Sequence, residues 1–269
     1  MKNSYQPKIA VIKKIKIQTP EVKLFTLQFK NKEDQKNFKF IPGQFIEAGL
    51  PSFSEAPFAV CSNPNDSDKN FQICVRIAGQ LTKKIHQLKI NDQLTVRGPF
   101  GNGFPNNLTG NILLIGGGLG LVPLRPLILA NQNNKNFKMQ IFYGACEAKD
   151  LLFQDEYKIW QKSANLVLTL DKQCPNWKGN VGLITTLFDK IKVDSSAIAI
   201  LCGPPIMYKF VIQKLKQAGL DDANIFLSLE RRMHCGIGVC QHCSIGSKYA
   251  CKHGPIFSYQ ELKNIPGAI

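Results

Sequence analysis

Four thiols fall within seventeen positions near the end of the chain: Cys235, Cys240, Cys243 and Cys251. No other stretch restricts the fold as strongly. Thiols at that density either pair as disulfides or share a metal, and the loop that carries them must wrap what they hold. Met1 to Lys16 is polar and lysine-rich, without the apolar run of a signal peptide, so a reducing, cytoplasmic setting is expected. There, bunched thiols read as metal ligands. The spacing C-x4-C-x2-C followed by a later cysteine is the plant-type [2Fe–2S] pattern. Gly236 and Gly238 would let the backbone come close enough to donate hydrogen bonds to sulfur. Zinc usually takes two C-x2-C pairs, and here only Cys240 and Cys243 form one. A Rieske arrangement would use His242 and His253, but Cys251-Lys-His253 has the wrong spacing for the second half. Zinc and a disulfide cluster stay open as alternatives.

A lone redox cluster needs a source of electrons, and the remaining 230 or so residues are enough for two domains. From Lys8 to Phe104 the pattern is all-β. Runs at Lys8–Ile17, Val22–Phe29, Gln44–Ala48, Phe58–Cys61, Phe71–Ile77 and Gln93–Val96 are separated by Gly, Pro, Asn and Asp turns. One helix is expected, over Leu81–Leu88. Short strands at this spacing suggest a small barrel. After Asn111 the pattern changes. Ile112–Ile115 is continuously apolar, as a strand covered on both faces should be, and further strands are expected at Met139–Tyr143, Leu166–Leu170, Ala197–Leu201 and Ile225–Ser228. Helical runs are expected at Leu121–Ala130, Asp150–Gln161, Leu183–Lys190 and Pro205–Ala218. Alternating strands and helices mean a parallel sheet covered by helices. The expected domains are therefore 1–107 for the barrel, 108–226 for the α/β domain and 227–269 for the cysteine segment.

The glycine run Gly116, Gly117, Gly118, Leu119, Gly120 stands between a buried strand and a helix, where backbone N–H groups and the helix N-terminus suit phosphate. The spacing is not G-x-G-x-x-G, and a tight strand–helix turn needs glycine with or without a ligand. Cys202-Gly203 ends another apolar strand, on the carboxyl edge where open parallel sheets bind ligands. A small buried hydrophobe is the blander reading of Cys202. In the barrel, Gly79, Gln80, Leu81 and Thr82 begin the expected helix and would hold an anion, although Thr82 also suits an ordinary cap. Phe58 reads as core or as a cofactor platform. No paired carboxylates, nucleophile elbow or histidine dyad is present, which agrees with chemistry carried by cofactors. The formal charge is +15, from 34 Lys and Arg against 19 Asp and Glu. The basic residues are scattered rather than set in an aromatic-spaced stripe, so no nucleic-acid module is expected. No run reaches eighteen apolar residues, so no membrane span is expected. A solvated basic surface or an acidic redox partner would account for the charge.

With these runs in view the sequence resembles the ferredoxin–NADP reductase superfamily. It looks most like the electron-transfer gamma subunits of hydrogenases and sulfhydrogenases, with the electron-transfer subunit of dihydroorotate dehydrogenase B as a near relative. The resemblance covers nearly the whole chain. It runs through the barrel motifs, Gly116–Pro123, Asp150–Glu156, Cys202–Met207 and Ser228–Cys235, and is most specific in the last block with Cys251–Phe257. It implies FAD in the barrel, NAD(P) on the α/β domain and [2Fe–2S] on Cys235, Cys240, Cys243 and Cys251. Pro57, Phe58 and Ala59 match the flavin segment usually written R-x-Y-[ST], with Ala56 in place of the arginine, Phe58 of the tyrosine and Ala59 of the hydroxyl residue. Gly79 to Thr82 match the segment that holds the flavin pyrophosphate, Gly116 to Gly120 the nicotinamide-nucleotide loop, and Cys202 with Gly203 the turn beside the nicotinamide, which makes Cys202 the candidate catalytic residue. Cys146 stands where many relatives have arginine. The expected function is movement of electrons between NAD(P)H, flavin and cluster, to or from a catalytic partner subunit or a small redox carrier in a hetero-oligomer. The acceptor expected is a hydrogenase-type subunit, with dihydroorotate dehydrogenase or anaerobic sulfite reductase as alternatives. A four-cysteine redox sensor is the non-enzymatic alternative.

Overall fold

The structure, a computed structural model, describes residues 5–105, 108–134 and 136–269. It divides into two compact units. One comprises the chain up to Phe104 with Arg125–Ala130 and Glu230–Pro255, and the other comprises Pro105–Leu124, Asn131–Leu229 and Ile256–Ile269.

The first unit is built on six antiparallel strands: β1 (Lys8–Thr19), β2 (Val22–Phe29), β3 (Phe45–Leu50), β4 (Ser54–Ala59), β5 (Phe71–Arg76) and β6 (Gln93–Phe100). Helix α1 (Lys32–Asn37) follows β2, and α2 (Gln80–Gln87) follows β5. Strand order is β4-β3-β6-β1-β2-β5, and a bridge between Val60 and Ile73 joins the two outer strands, so the sheet curls closed. Ile12, Phe25, Leu27, Ile46, Phe71 and Ile73 are fully buried in its interior, and Ile85 of α2 plugs the same core. The expected strands are all present. β4 begins at Ser54 rather than Phe58, because hydrogen bonding to β3 extends from Leu50↔Ser54 to Phe45↔Ala59. α1 carries no buried residue and rests on its cap, with Asn31 Oδ1 accepting from Glu33 and Asp34 N–H. Such a helix leaves no apolar period to read.

The second unit holds β7 (Gly110–Gly117), α3 (Leu121–Ala130, of which Leu121–Leu124 lie in this unit), β8 (Phe137–Ala145), α4 (Tyr157–Trp160), β9 (Ala164–Leu170), β10 (Asn180–Val181), β11 (Ile198–Cys202), α5 (Pro205–Gln217) and β12 (Ile225–Ser228). The cysteine segment adds a hairpin, β13 (Ser244–Ile245) and β14 (Lys248–Tyr249), and α6 (Ala250–His253) to the first unit. The second unit gains β15 (Ile256–Ser258) and α7 (Tyr259–Leu262). The seven-stranded sheet runs β10-β9-β8-β7-β11-β12-β15, parallel throughout except for β15 against β12. Two helical expectations differ from the structure. Asp150 ends a short 3-10 helix and helix resumes only at Gln154: between them Leu151, in extended backbone, Leu152, and Phe153, in left-handed backbone, are all buried in the core. Ile184–Asp189 is a 3-10 helix, tightened so that Ile184 and Leu187, three apart, are both buried.

Candidate functional site

The thiols come together on the barrel unit. Cys243 and Cys251 flank the β13–β14 hairpin, whose pairing Ser244↔Tyr249 sets them side by side. Their sulfurs are 3.2 Å apart and both residues are buried. Cys235 is half-buried and Cys240 exposed. The loop between them folds back on its own sulfur: Ile237, Val239 and Cys240 N–H donate to Cys235 Sγ at 3.5, 3.3 and 3.4 Å. Gly238 N–H donates to Cys251 Sγ at 3.1 Å. Gly236 (φ +74°) and Gly238 (φ +79°) sit in the left-handed region that the wrap requires. Burial pushes the Cys235 thiol up, but the backbone donors from Cys240, Ile237 and Val239 outweigh it and draw the group down to about 6. Burial, with Cys243 alongside, pushes Cys251 up to about 12.

This donor set fits a two-iron cluster. Cys235, Cys240, Cys243 and Cys251 form no disulfide, and the two sulfurs at 3.2 Å are beyond bonding distance, so the disulfide alternative has no support. N–H groups already aimed at sulfur are what a cluster's thiolates accept. Among the described residues no three His, Cys, Asp or Glu side chains converge as a single-ion site needs. The thiols pair instead, Cys235 with Cys240 and Cys243 with Cys251. The histidines are engaged elsewhere. His242 packs edge-on against His234, and His253 Nδ1 accepts from Tyr249 N–H at 2.9 Å.

The cysteine segment is fastened to the barrel by polar contacts. Asn102 N–H donates to the Gly254 carbonyl at 2.7 Å, and its side-chain amide donates to the His253 carbonyl at 3.1 Å. Arg97 Nη1 donates to the Cys235 carbonyl at 2.9 Å. Beneath the loop lies Glu47, fully buried, whose two carboxylate oxygens accept no hydrogen bond from any described residue. Burial pushes its carboxyl up to about 8 against the pull of Arg97, with Glu55 and Cys235 adding to the rise. Sequence reasoning missed both residues. A lone Glu in an otherwise apolar strand, Phe45-Ile-Glu-Ala-Gly-Leu50, was the available signal for Glu47.

The flavin-segment residues Pro57, Phe58 and Ala59 end β4 half-buried, and Phe58 packs on the barrel core. Gly79 is the N-cap of α2. Thr82 is three residues further on, and its hydroxyl accepts from Ala78 and Gly79 N–H, both at 2.9 Å. The capping reading of Thr82 therefore holds in part: its hydroxyl takes the N–H groups of the N-cap and of the residue before it, not those of the first turn. The N–H groups of Gln80, Leu81 and Thr82 are those that face outward at an eight-residue helix start.

In the second unit the two glycine-bearing turns meet. β7 and β11 run parallel with Gly116 opposite Cys202. A Cβ at Gly120 would overlap the Cys202 carbonyl oxygen, and one at Gly203 would come within 2.6 Å of Met207 Cε. Close packing thus accounts for glycine at those two positions. Gly118 differs: its φ is +55° and a Cβ there would meet nothing within 4 Å, so its backbone is open to an approaching group. Cys202 itself is buried at the end of β11.

Three family models match: an oxidoreductase FAD-binding domain over residues 8–104, an oxidoreductase NAD-binding domain over 114–213, and the iron-sulfur cluster binding domain of dihydroorotate dehydrogenase B over 230–263. The chain is 38% identical to the sulfhydrogenase 2 gamma subunit of Pyrococcus furiosus, over 99% of this chain and all of that one. It is 32% identical to a probable dihydroorotate dehydrogenase B (NAD(+)) electron transfer subunit of Methanocaldococcus jannaschii, over 97% and 93% of the two chains. A solved structure of NADH-dependent reduced ferredoxin–NADP oxidoreductase superposes with a TM-score of 0.77 at 29% identity, covering 94% of this chain and 89% of that one.

Proposed function

Because the chain belongs to the family of sulfhydrogenase gamma and dihydroorotate dehydrogenase B electron-transfer subunits, we propose that it moves electrons between NAD(P)H and a partner subunit by way of FAD and a [2Fe–2S] cluster. The chemistry supplied by the bound groups is hydride exchange at the flavin and one-electron exchange at the cluster. The observation that carries the reading is the thiol set, with four backbone N–H groups already directed at two of its sulfurs.

The working segments are proposed as 1–107 for flavin, 108–226 for nucleotide and 227–269 for the cluster. The family matches at 8–104, 114–213 and 230–263 support that division. Cys235, Cys240, Cys243 and Cys251 hold the irons. Gln80, Leu81 and Thr82 N–H at the start of α2 hold the flavin pyrophosphate, with Gly79 giving the backbone room. Pro57, Phe58 and Ala59 line the ring. Gly116, Gly117, Gly118 and Gly120 form the nucleotide turn, where the open backbone of Gly118 supports the assignment. Cys202 and Gly203 stand beside the nicotinamide. No described helix is long and apolar enough to cross a membrane, and the working place proposed is the cytoplasm, in a hetero-oligomer with the catalytic chain that accepts or donates the electrons.

The test is anaerobic stopped-flow spectroscopy of the purified protein with NADH and then NADPH. Flavin bleaching should precede a rhombic electron paramagnetic resonance (EPR) signal from the reduced cluster. Nucleotide binding without bleaching would refute the electron-transfer reading and favour a sensor.

A further inference from the structure

The barrel unit contains an ion pair, with its arginine buried and its carboxylate partly exposed, that neither the flavin segment nor the thiol set uses directly. Arg97 of β6 is 4% exposed. Its Nε donates to both oxygens of Glu55, at 3.1 and 3.0 Å, and Nη2 completes the fork. Its remaining nitrogen, Nη1, donates to the backbone carbonyl of Cys235. Glu55 lies on β4, two residues before Pro57. Strand β3 runs between β4 and β6, with Glu47 opposite both Pro57 and Arg97. A Cβ at Gly236 would come within 3.2 Å of Glu47 Cγ and 2.9 Å of the Phe100 ring, so the cysteine loop seats directly on this group.

We propose that Arg97 is a positioning residue for the cluster loop: one guanidinium nitrogen grips the Cys235 carbonyl, the other two grip Glu55, and the balance of these charges sets the reduction potential of the cluster. The proposal rests on the [2Fe–2S] reading. Reduction adds one negative charge to a centre already held by thiolates. A nearly solvent-free cation one peptide away favours that added charge, and the Glu55 carboxylate opposes it. In a setting of intermediate dielectric both charges are felt over such distances. Neutralising either partner therefore uncovers the other. Loss of the arginine leaves an anion beside the loop and disfavours reduction, whereas loss of the Glu55 charge leaves the cation unbalanced and favours it. A merely structural clamp predicts no such opposition, since breaking it from either side loosens the same loop.

The experiment is an EPR-monitored redox titration of the anaerobically purified, cofactor-loaded protein with Arg97→Gln, Arg97→Lys and Glu55→Gln. Arg97→Gln should lower the reduced-to-oxidised ratio of the cluster at a fixed potential about tenfold, which is 59 mV for one electron. Glu55→Gln should raise it by a similar factor, and Arg97→Lys should stay near the parent. Shifts of the same sign, or shifts below about twofold in both glutamine variants, overturn the proposal. Should Arg97→Gln not fold, Glu55→Gln decides alone: its side chain is one-third exposed, and an upward shift supports the role while none or a downward one refutes it. A parent protein without any iron–sulfur signal would refute the cluster reading itself. An intact signal with unmoved potentials refutes only the role of Arg97.

Discussion

Glu47→Gln isolates the cost of a buried carboxyl that accepts no hydrogen bond from any described residue. The group is fully buried and is raised from 4.5 to about 8 by burial. An acid whose folded value is raised holds its proton more tightly in the folded chain. Its contribution is therefore most favourable below about pH 4.5 and is lost as pH rises towards 8. Across those 3.5 units, at about 1.4 kcal/mol each, the loss amounts to roughly 5 kcal/mol. Glutamine cannot ionise, so whatever its amide costs in the same place does not change with pH. The difference between variant and parent is thus the readout. For a chain of this size about 1 kcal/mol corresponds to roughly 2 °C in melting midpoint. Scanned at one rate under anaerobic conditions, the midpoint of Glu47→Gln relative to the parent should climb on the order of 10 °C between pH 5 and pH 9, with the climb ending near pH 8. A difference that stays flat over that range would refute the reasoning, since it would mean that Glu47 ionises without penalty.

Cys240→Ser should abolish the cluster EPR signal and most of the bound iron while the flavin absorbance stays; retention of both iron and signal would exclude Cys240 as a ligand. Gly120→Ala forces a Cβ onto the Cys202 carbonyl, and an overpacked turn of this kind costs about 1–3 kcal/mol. The KM for the preferred nicotinamide nucleotide should therefore rise at least tenfold with flavin and cluster spectra unchanged, and an unchanged KM would separate this turn from the nucleotide. In protein stripped of iron, Cys235, drawn down to about 6, should be the first of the four thiols alkylated at pH 7, and Cys251, pushed up to about 12, the last, as followed by peptide mass spectrometry; the reverse order would show that the loop does not hold its N–H groups on Cys235 without metal.

The features legible in the sequence were those carried by short spacings. Alternation located all six barrel strands, because one face of each is filled by residues such as Ile12, Phe25 and Ile73. The apolar run before Gly116 and the helix from Leu121 to Ala130 fell where the pattern placed them. β15 was not legible. Three residues after the last cysteine have no period, and their strand character comes from hydrogen bonding to Ser228, Leu227 and Phe226. The hairpin between Cys243 and Cys251 was hidden for the same reason, since two strands of two residues cannot show alternation.

The thiol set and the charges around it mark the boundary of such reading. Which cysteines lie together follows from their spacing, because the loop that carries them is a local structure. Glu47, Glu55, Arg97 and Cys235 meet only through the pairing of β3 with β4 and β6, and the β3–β6 register shifts by one residue between Phe45 and Glu47. Glu47, Ala48 and Gly49 hold one register against Arg97, Val96 and Thr95, and that pairing sets Glu47 opposite Arg97. A long-range strand pairing, which no composition or spacing reveals, therefore puts a buried cation one peptide from a thiol proposed to hold the cluster.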